Sequence, residues 1–308
     1  MFDQGTFSDL DVLDCLEIFG STVRASEWLG LSQSTCSRRY RQLSDALGVD
    51  FDRVDGSYLP RRNVDILAGL RQAAQRWRVR RGRLRYSIGW QWGVASLELD
   101  WQDFGLRLMD SNRMLSLLDQ QLLDGWLGGL LEFQALLDQP LAELRARPFW
   151  LSQRVVACPL CRWPLQLLAR ADHPLAGRSG LTRQDLKAYP SPGLPLGVAP
   201  QLMSQLQAHG LAHRLVDMRH HSVELWEAVA RDGLSLSWAS PQLLPHLRER
   251  YGLVGLDYPL PILEVGALVA HRDVFEDPSF EALLAAARRA LQGQLAGLDG
   301  AAPLSWLA

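Results

Sequence analysis

The chain has 308 residues, 47% hydrophobic and 21% charged, with a formal net charge of −2, the balance of a soluble globular protein long enough for two or three compact units. No run of eighteen apolar residues occurs, and the N-terminus lacks a basic segment followed by an apolar core. Neither a membrane span nor a signal peptide is therefore expected, which implies a cytoplasmic location with the four cysteines mostly reduced.

In chain order, residues 7–19 carry a helical pattern, with Ser8 as candidate cap and Leu10, Leu13 and Leu16 facing inward. Residues 20–48 read as two helices joined by a tight turn. Ser21 and Ser32 are placed to cap them, and Gly30 and Gly48 to end them in the left-handed conformation. In the second of these helices Cys36, Tyr40, Leu43 and Leu47 recur at spacings of four, three and four and share one face. The opposite face carries Gln33, Ser34, Ser37, Arg38 and Arg41, with Ser32 and Thr35 at the start of the helix. None of these is acidic, and all can hydrogen-bond to base edges or phosphates. The pattern fits a helix-turn-helix; an ordinary helical hairpin with a solvated face would share it. Nine arginines fall between Arg61 and Arg85 with Asp65 the only acid among them, so a nearly neutral chain hides a basic block suited to a DNA-binding end. A solvated arginine-rich helix is the alternative.

The run Gly20-Ser21, Ala25, Leu29, Ser32-Gln33-Ser34, Ser37-Arg38, Leu43 and Leu47-Gly48 resembles the N-terminal domain of LysR-type transcriptional regulators. Next, Asp55-Gly56 marks a small β-hairpin over residues 51–59. The resemblance makes this hairpin a wing along the DNA backbone, with Arg53, Arg61 and Arg62 as phosphate contacts. A longer helix follows from Asn63, its candidate cap, to about Gly82. Leu67, Leu70, Ala74 and Trp77 step three, four and three along it, and the resemblance makes this stripe a dimer seam. The same stripe would look alike if it packed on its own domain.

From Leu84 onward strands alternate with helices, which predicts an α/β unit with a mainly parallel sheet: strands at 85–90 and 105–109, a helix at 112–123, and an apolar run at 127–137. Arg162 to Ala176, Leu181 to Leu186 and Ser222 to Pro241 resemble the second lobe of a LysR-type effector domain. A returning strand is expected at 260–271 and a last helix starting at Asp277-Pro278, with Pro at its first position, and a loose tail after Gly297. The fold class expected is thus α/β with a winged helix-turn-helix at 1–62, a linker and dimerisation helix at 63–83, and a two-lobed, periplasmic-binding-protein-like domain at 84–296. Its first lobe would hold 84–160 and 259–296, its second 161–258. Residues 297–308 form the tail.

The sequence departs from the family pattern chiefly between the first two strands. Only Gln91 to Phe104 is available where relatives carry a long helix, and even a continuous helix there would span only roughly 20 Å. One short helix or an irregular crossover is expected, with Trp90, Trp92, Trp101 and Phe104 covering the exposed lobe face.

The resemblance places a small-molecule effector between the lobes. Its candidate contacts are Trp90, Gln91, Trp92, Asp110, Ser111 and Asn112 from the first lobe, and Gly197, Val198, Ser237 and Trp238 from the second. Trp90 and Trp92 would equally serve as core aromatics. Cys158-Pro-Leu-Cys161 is a lone C-x-x-C, a poor zinc site, which fits either a redox pair or two buried thiols. The adjacent His220-His221 cannot both face one metal from a regular strand. No catalytic set, phosphate loop or cofactor motif stands out, so no enzyme activity, cofactor or metal is expected. The implied partners are double-stranded DNA, a small-molecule effector and further copies of the chain in a homodimer or homotetramer. The alternatives are a regulator whose cleft no longer binds a ligand, and an enzyme or solute-binding protein on the two-lobe fold.

Overall fold

The computed structural model describes residues 7–54, 57–89, 92, 102–106, 111–193, 199–211, 214–215, 229–295 and 302–303. The chain divides into two compact units, one of Met1–Leu84 with Ser116–Asp124, the other of Arg85–Leu115 with Gly125–Ala308.

The first unit opens with α1 (Ser8–Phe19), α2 (Thr22–Leu29) and α3 (Gln33–Leu47), followed by the hairpin β1 (Phe51–Val54) and β2 (Ser57–Pro60) and by α4 (Val64–Arg80). The caps of the central pair form as local chemistry dictates. Ser21 accepts from the Arg24 N–H and Ser32 from that of Thr35, and Gly30 and Gly48 adopt φ near +60° at the helix ends. Two expected caps do not form. Ser8 is already the first helical residue, and Phe7 precedes it without a side-chain cap. Asn63 sits in the left-handed region before α4 and caps another helix instead, its amide donating to the carbonyl of Leu47 at the end of α3 (2.8 Å).

Leu10, Leu13, Val49, Leu67 and Ala74 form the core of this unit, with Tyr40, Leu43, Leu47 and Leu70 half-buried against it. Across α1 and α4, the buried Arg71 guanidinium bonds both Asp14 (2.9 Å) and Glu17 (2.6 Å). Further along α4, Gln75 and Arg78 hold the buried carboxylate of Asp124.

In the second unit the chain runs through β3 (Arg85–Ile88), β4 (Gln102–Asp103), α5 (Ser111–Asp119, whose part from Ser116 groups with the first unit), β5 (Gly125–Gly129), β6 (Phe149–Trp150), β7 (Val155–Pro164) and β8 (Gln166–Arg170). It continues with α6 (Arg183–Lys187), β9 (Pro192–Gly193), α7 (Pro200–Ala208), β10 (Arg214–Leu215), β11 (Ser237–Ala239), α8 (Leu244–Tyr251) and β12 (Leu253–Gly255). It closes with β13 (Leu263–His271), α9 (Arg272–Phe275), α10 (Ser279–Leu295) and β14 (Ala302–Pro303). A seven-stranded sheet in the order β14-β7-β13-β5-β3-β4, with β6 also on β7, forms the first lobe; β11-β8-β12 and the β10-β9 pair form the second. The chain passes between the sheets at Leu165 and at 256–262, and the Leu165 N–H bonds the Ile262 carbonyl to tie the two passages together (2.9 Å).

Three expectations are corrected here. The first sheet is mixed rather than mainly parallel: β3 runs parallel to β4 and β5, whereas β13 is antiparallel to β5 and β7. The reason is that β7 and β13 are the passage strands: the chain leaves this sheet along β7 and comes back along β13, so the two run in opposite directions side by side. Among the described residues the second strand is the short pair Gln102–Asp103; Gly105 and Leu106 of the expected 105–109 follow it outside any strand, and 107–109 lie outside the described residues. The tail is not wholly loose, since Ala302 and Pro303 add an edge strand to β7 at Arg162 and Cys161.

Candidate nucleic-acid face and effector cleft

In α3, Cys36 is fully buried and Tyr40, Leu43 and Leu47 are half-buried, which turns the other side of the helix outward. Gln33, Ser34, Arg38 and Arg41 are exposed there, and Ser37 is partly so. Arg38 and Arg41 make no ion pair among the described residues. Ser32 and Thr35 are engaged in the cap, the Ser32 hydroxyl lying 3.2 Å from the Thr35 N–H and 2.9 Å from its Oγ1. Gln33 reaches back to the Thr22 hydroxyl (3.3 Å) at the start of α2.

The basic block is less available than its composition suggests. Arg61 pairs with Asp52 (3.2 Å) and Arg62 with Asp50 (3.3 Å), all four side chains at least half exposed. Arg71 and Arg78 are consumed inside the unit, and Arg85 is buried. Arg53 stays exposed beside the Tyr58 ring, and Arg76 and Arg80 are exposed on α4.

The expected dimer seam is also corrected. Leu67 and Ala74 are core residues of their own unit and Leu70 packs against them; only Trp77 of that set faces outward, at 39% exposure. Arg71, at the same face, explains this orientation, because its ion pairs with Asp14 and Glu17 draw the whole stripe onto α1. The face turned to solvent carries Ile66, Gly69, Ala73 and Trp77, stepping three, four and four.

Of the candidate effector residues, Trp90, Gln91, Asp110, Gly197 and Val198 lie outside the described residues, as do Trp101 and the His220-His221 pair. Ser111 and Asn112 open α5, half-buried and exposed respectively. Ser237 and Trp238 are buried in β11 of the second lobe, and the Ser237 hydroxyl has no partner among the described residues. Trp92 is only 1% exposed, edge-to-face against Trp163 at 5.2 Å. It lies over Gly266, where a Cβ would come within 2.4 Å of its ring. That places Trp92 in the first-lobe core, joined there by the buried Phe104.

Sequence reasoning missed Glu264, whose buried Oε2 accepts from the Trp163 indole N–H (2.8 Å) and the Ser240 hydroxyl (2.7 Å). Burial raises its carboxyl to about 7, against the downward pull of those two hydrogen bonds. An acid within the apolar run Leu263 to His271 was the available signal. It also missed Glu132, which accepts from the first N–H groups of α7. The C-x-x-C cysteines are buried on β7. Burial pushes the Cys158 thiol up to about 12 and raises that of Cys161 well above its ordinary value, so both remain unreactive thiols at neutral pH.

A helix-turn-helix unit with a β-hairpin, followed by two α/β lobes crossed twice by the chain, defines the class of two-lobed binding domains carried behind a winged helical unit. Residues 102–292 match the family described as the LysR substrate binding domain, and the chain belongs to that family. Similar solved structures include a full-length OxyR variant from Pseudomonas aeruginosa, with 18% identity, 100% coverage of both chains and a TM-score of 0.54. A hydrogen-peroxide-bound OxyR variant from Corynebacterium glutamicum has 17% identity, 94% coverage of both chains and a TM-score of 0.51. For ArgP from Mycobacterium tuberculosis the identity is 15%, with 94% of this chain and 98% of that one covered, at a TM-score of 0.51. At these identities the likeness is one of fold. No curated protein matches the chain.

Proposed function

We propose that this LysR-family protein is a DNA-binding transcriptional regulator controlled by a small-molecule effector. The outward face of α3 carries the reading: a capped second helix whose apolar side is buried presents Gln33, Ser34, Ser37, Arg38 and Arg41 to solvent. Such a helix enters the major groove, where arginine pairs with guanine and glutamine with adenine. Arg53 at the hairpin supplies a phosphate contact, and Arg61 and Arg62 do so once released from their aspartates. The effector binds between the lobes and changes the arrangement of the DNA-binding ends. Copies of the chain pair through the outward face of α4, with Ile66 and Trp77 flanking the small Gly69 and Ala73, which allow close helix approach.

The test is duplex binding on the DNA upstream of the protein's own gene, mapped by protection with and without candidate metabolites. Arg38→Ala should weaken binding to a protected site by about 1–3 kcal/mol and leave binding to scrambled DNA much less affected. Equal loss on both would mean that Arg38 touches only phosphate, and the base-reading role would fall.

A further inference from the structure

Helix α7 begins without a cap of its own. The residue before it, Ala199, sits at φ 50°, a conformation that residues with a Cβ rarely adopt, and its methyl group accepts nothing. Pro200, the first helical residue, has no N–H. Met203 donates to the Ala199 carbonyl (3.0 Å), which leaves the N–H groups of Gln201 and Leu202 as the donors of the first turn. Both go to one side chain. Glu132 accepts from Gln201 through Oε2 and from Leu202 through Oε1, each at 3.3 Å.

Glu132 belongs to the other lobe. It lies in the 3-10 turn Leu131–Leu136 directly after β5, whereas α7 lies between β9 and β10 of the second lobe. A second bond runs alongside, from the Gln205 side-chain amide to that of Gln134 (3.1 Å). By contrast α6, also in the second lobe, carries its own capping box in Thr182 and Asp185. A carboxylate is the natural complement to the positive end of a helix, and the buried Leu202 would otherwise leave its N–H unpaired.

We propose that Glu132 is a built-in latch, an internal carboxylate that closes the first lobe onto the second, so that the lobes shut without an anion from outside. The contact falls immediately after Gly197 and Val198 in the chain, in the stretch expected to hold the effector. The latch is therefore a device of the effector cleft and rests on that reading; a carboxylate-bearing effector acts by taking the place of Glu132.

Hydrogen exchange on the full chain tests this without DNA or a known effector. In the native protein the amides of Gln201 and Leu202 are protected, and added acetate changes nothing. In Glu132→Ala they should exchange roughly tenfold faster or more, and acetate should restore protection saturably where chloride at equal ionic strength does not. Glu132→Gln, close in shape but uncharged, should lose part of the protection, and it alone decides the matter if exchange across α10 shows that the alanine variant has unfolded. Native-like exchange at the start of α7 in the folded variants overturns the latch, as does an alanine variant that acetate cannot restore. Duplex binding by the native protein, measured separately, tests the regulator reading: its absence would sink that reading and leave the exchange result standing.

Discussion

Glu264 and Arg71 show two ways of burying charge. Arg71 keeps its charge because Asp14 and Glu17 both bond it, and removing one partner of such a set is more damaging than replacing the whole set by apolar groups. Glu264 has hydrogen-bond donors but, among the described residues, no cation, so its proton is held instead: its carboxyl rises from an ordinary 4.5 to about 7. An acid whose pKa is raised on folding binds more protons folded than unfolded between those two values. Its stabilising share is complete below about 4.5 and is lost as pH rises through about 7. Glu264→Gln keeps an acceptor for Trp163 and Ser240 and carries no charge. We expect it to remove this fall, making the variant on the order of 3 kcal/mol more stable than the native chain above pH 7. Urea unfolding of both proteins from pH 4.5 to 8 measures this; parallel curves would show that Glu264 is not the group responsible.

At the scale of elements, the caps at Ser21, Ser32, Gly30 and Gly48 were legible because their partners lie three or four residues away. The hairpin and the last helix were legible for the same local reason. What escaped was long-range. Periodicity shows that Leu67, Leu70 and Ala74 share a face, but not what lies opposite them; that is settled by Arg71 meeting acids 57 and 54 residues earlier. The partner of Asn63 is 16 residues away and that of Glu264 is 101, so no local signal names either contact. The corrected face of α4 moves the dimerisation prediction to a new residue. A charge at Leu70 would disturb the core of the unit, whereas Ala73 is exposed and glutamate is a good helix former. Ala73→Glu should therefore give a folded chain that sediments as a monomer and binds its operator weakly. Sedimentation at the native oligomer size would exclude this face as the contact.

For the molecule as a whole, a net charge of −2 means that the DNA binding proposed above has to come from where the charges sit rather than from their sum. Arg61 and Arg62 lie beside the hairpin, and each is paired with a neighbouring aspartate at the surface. Exposed pairs of this kind contribute little to stability, so a phosphate can compete for either arginine. While paired, however, the two arginines are screened by acids that themselves repel the DNA backbone. Replacing Asp50 and Asp52 together by Asn moves the net charge from −2 to 0 and frees both guanidiniums. The double variant should bind every duplex more tightly. Its affinity should also fall more steeply with salt, by a slope of about 0.9 for each added phosphate contact, up to roughly two contacts per chain. Because phosphate contacts carry no sequence information, the ratio of matched to scrambled binding should stay level or shrink. Titrations of both proteins from low to physiological salt read the slope directly. Tighter binding with an unchanged slope would mean that the aspartates act only by general repulsion and that Arg61 and Arg62 never reach the backbone.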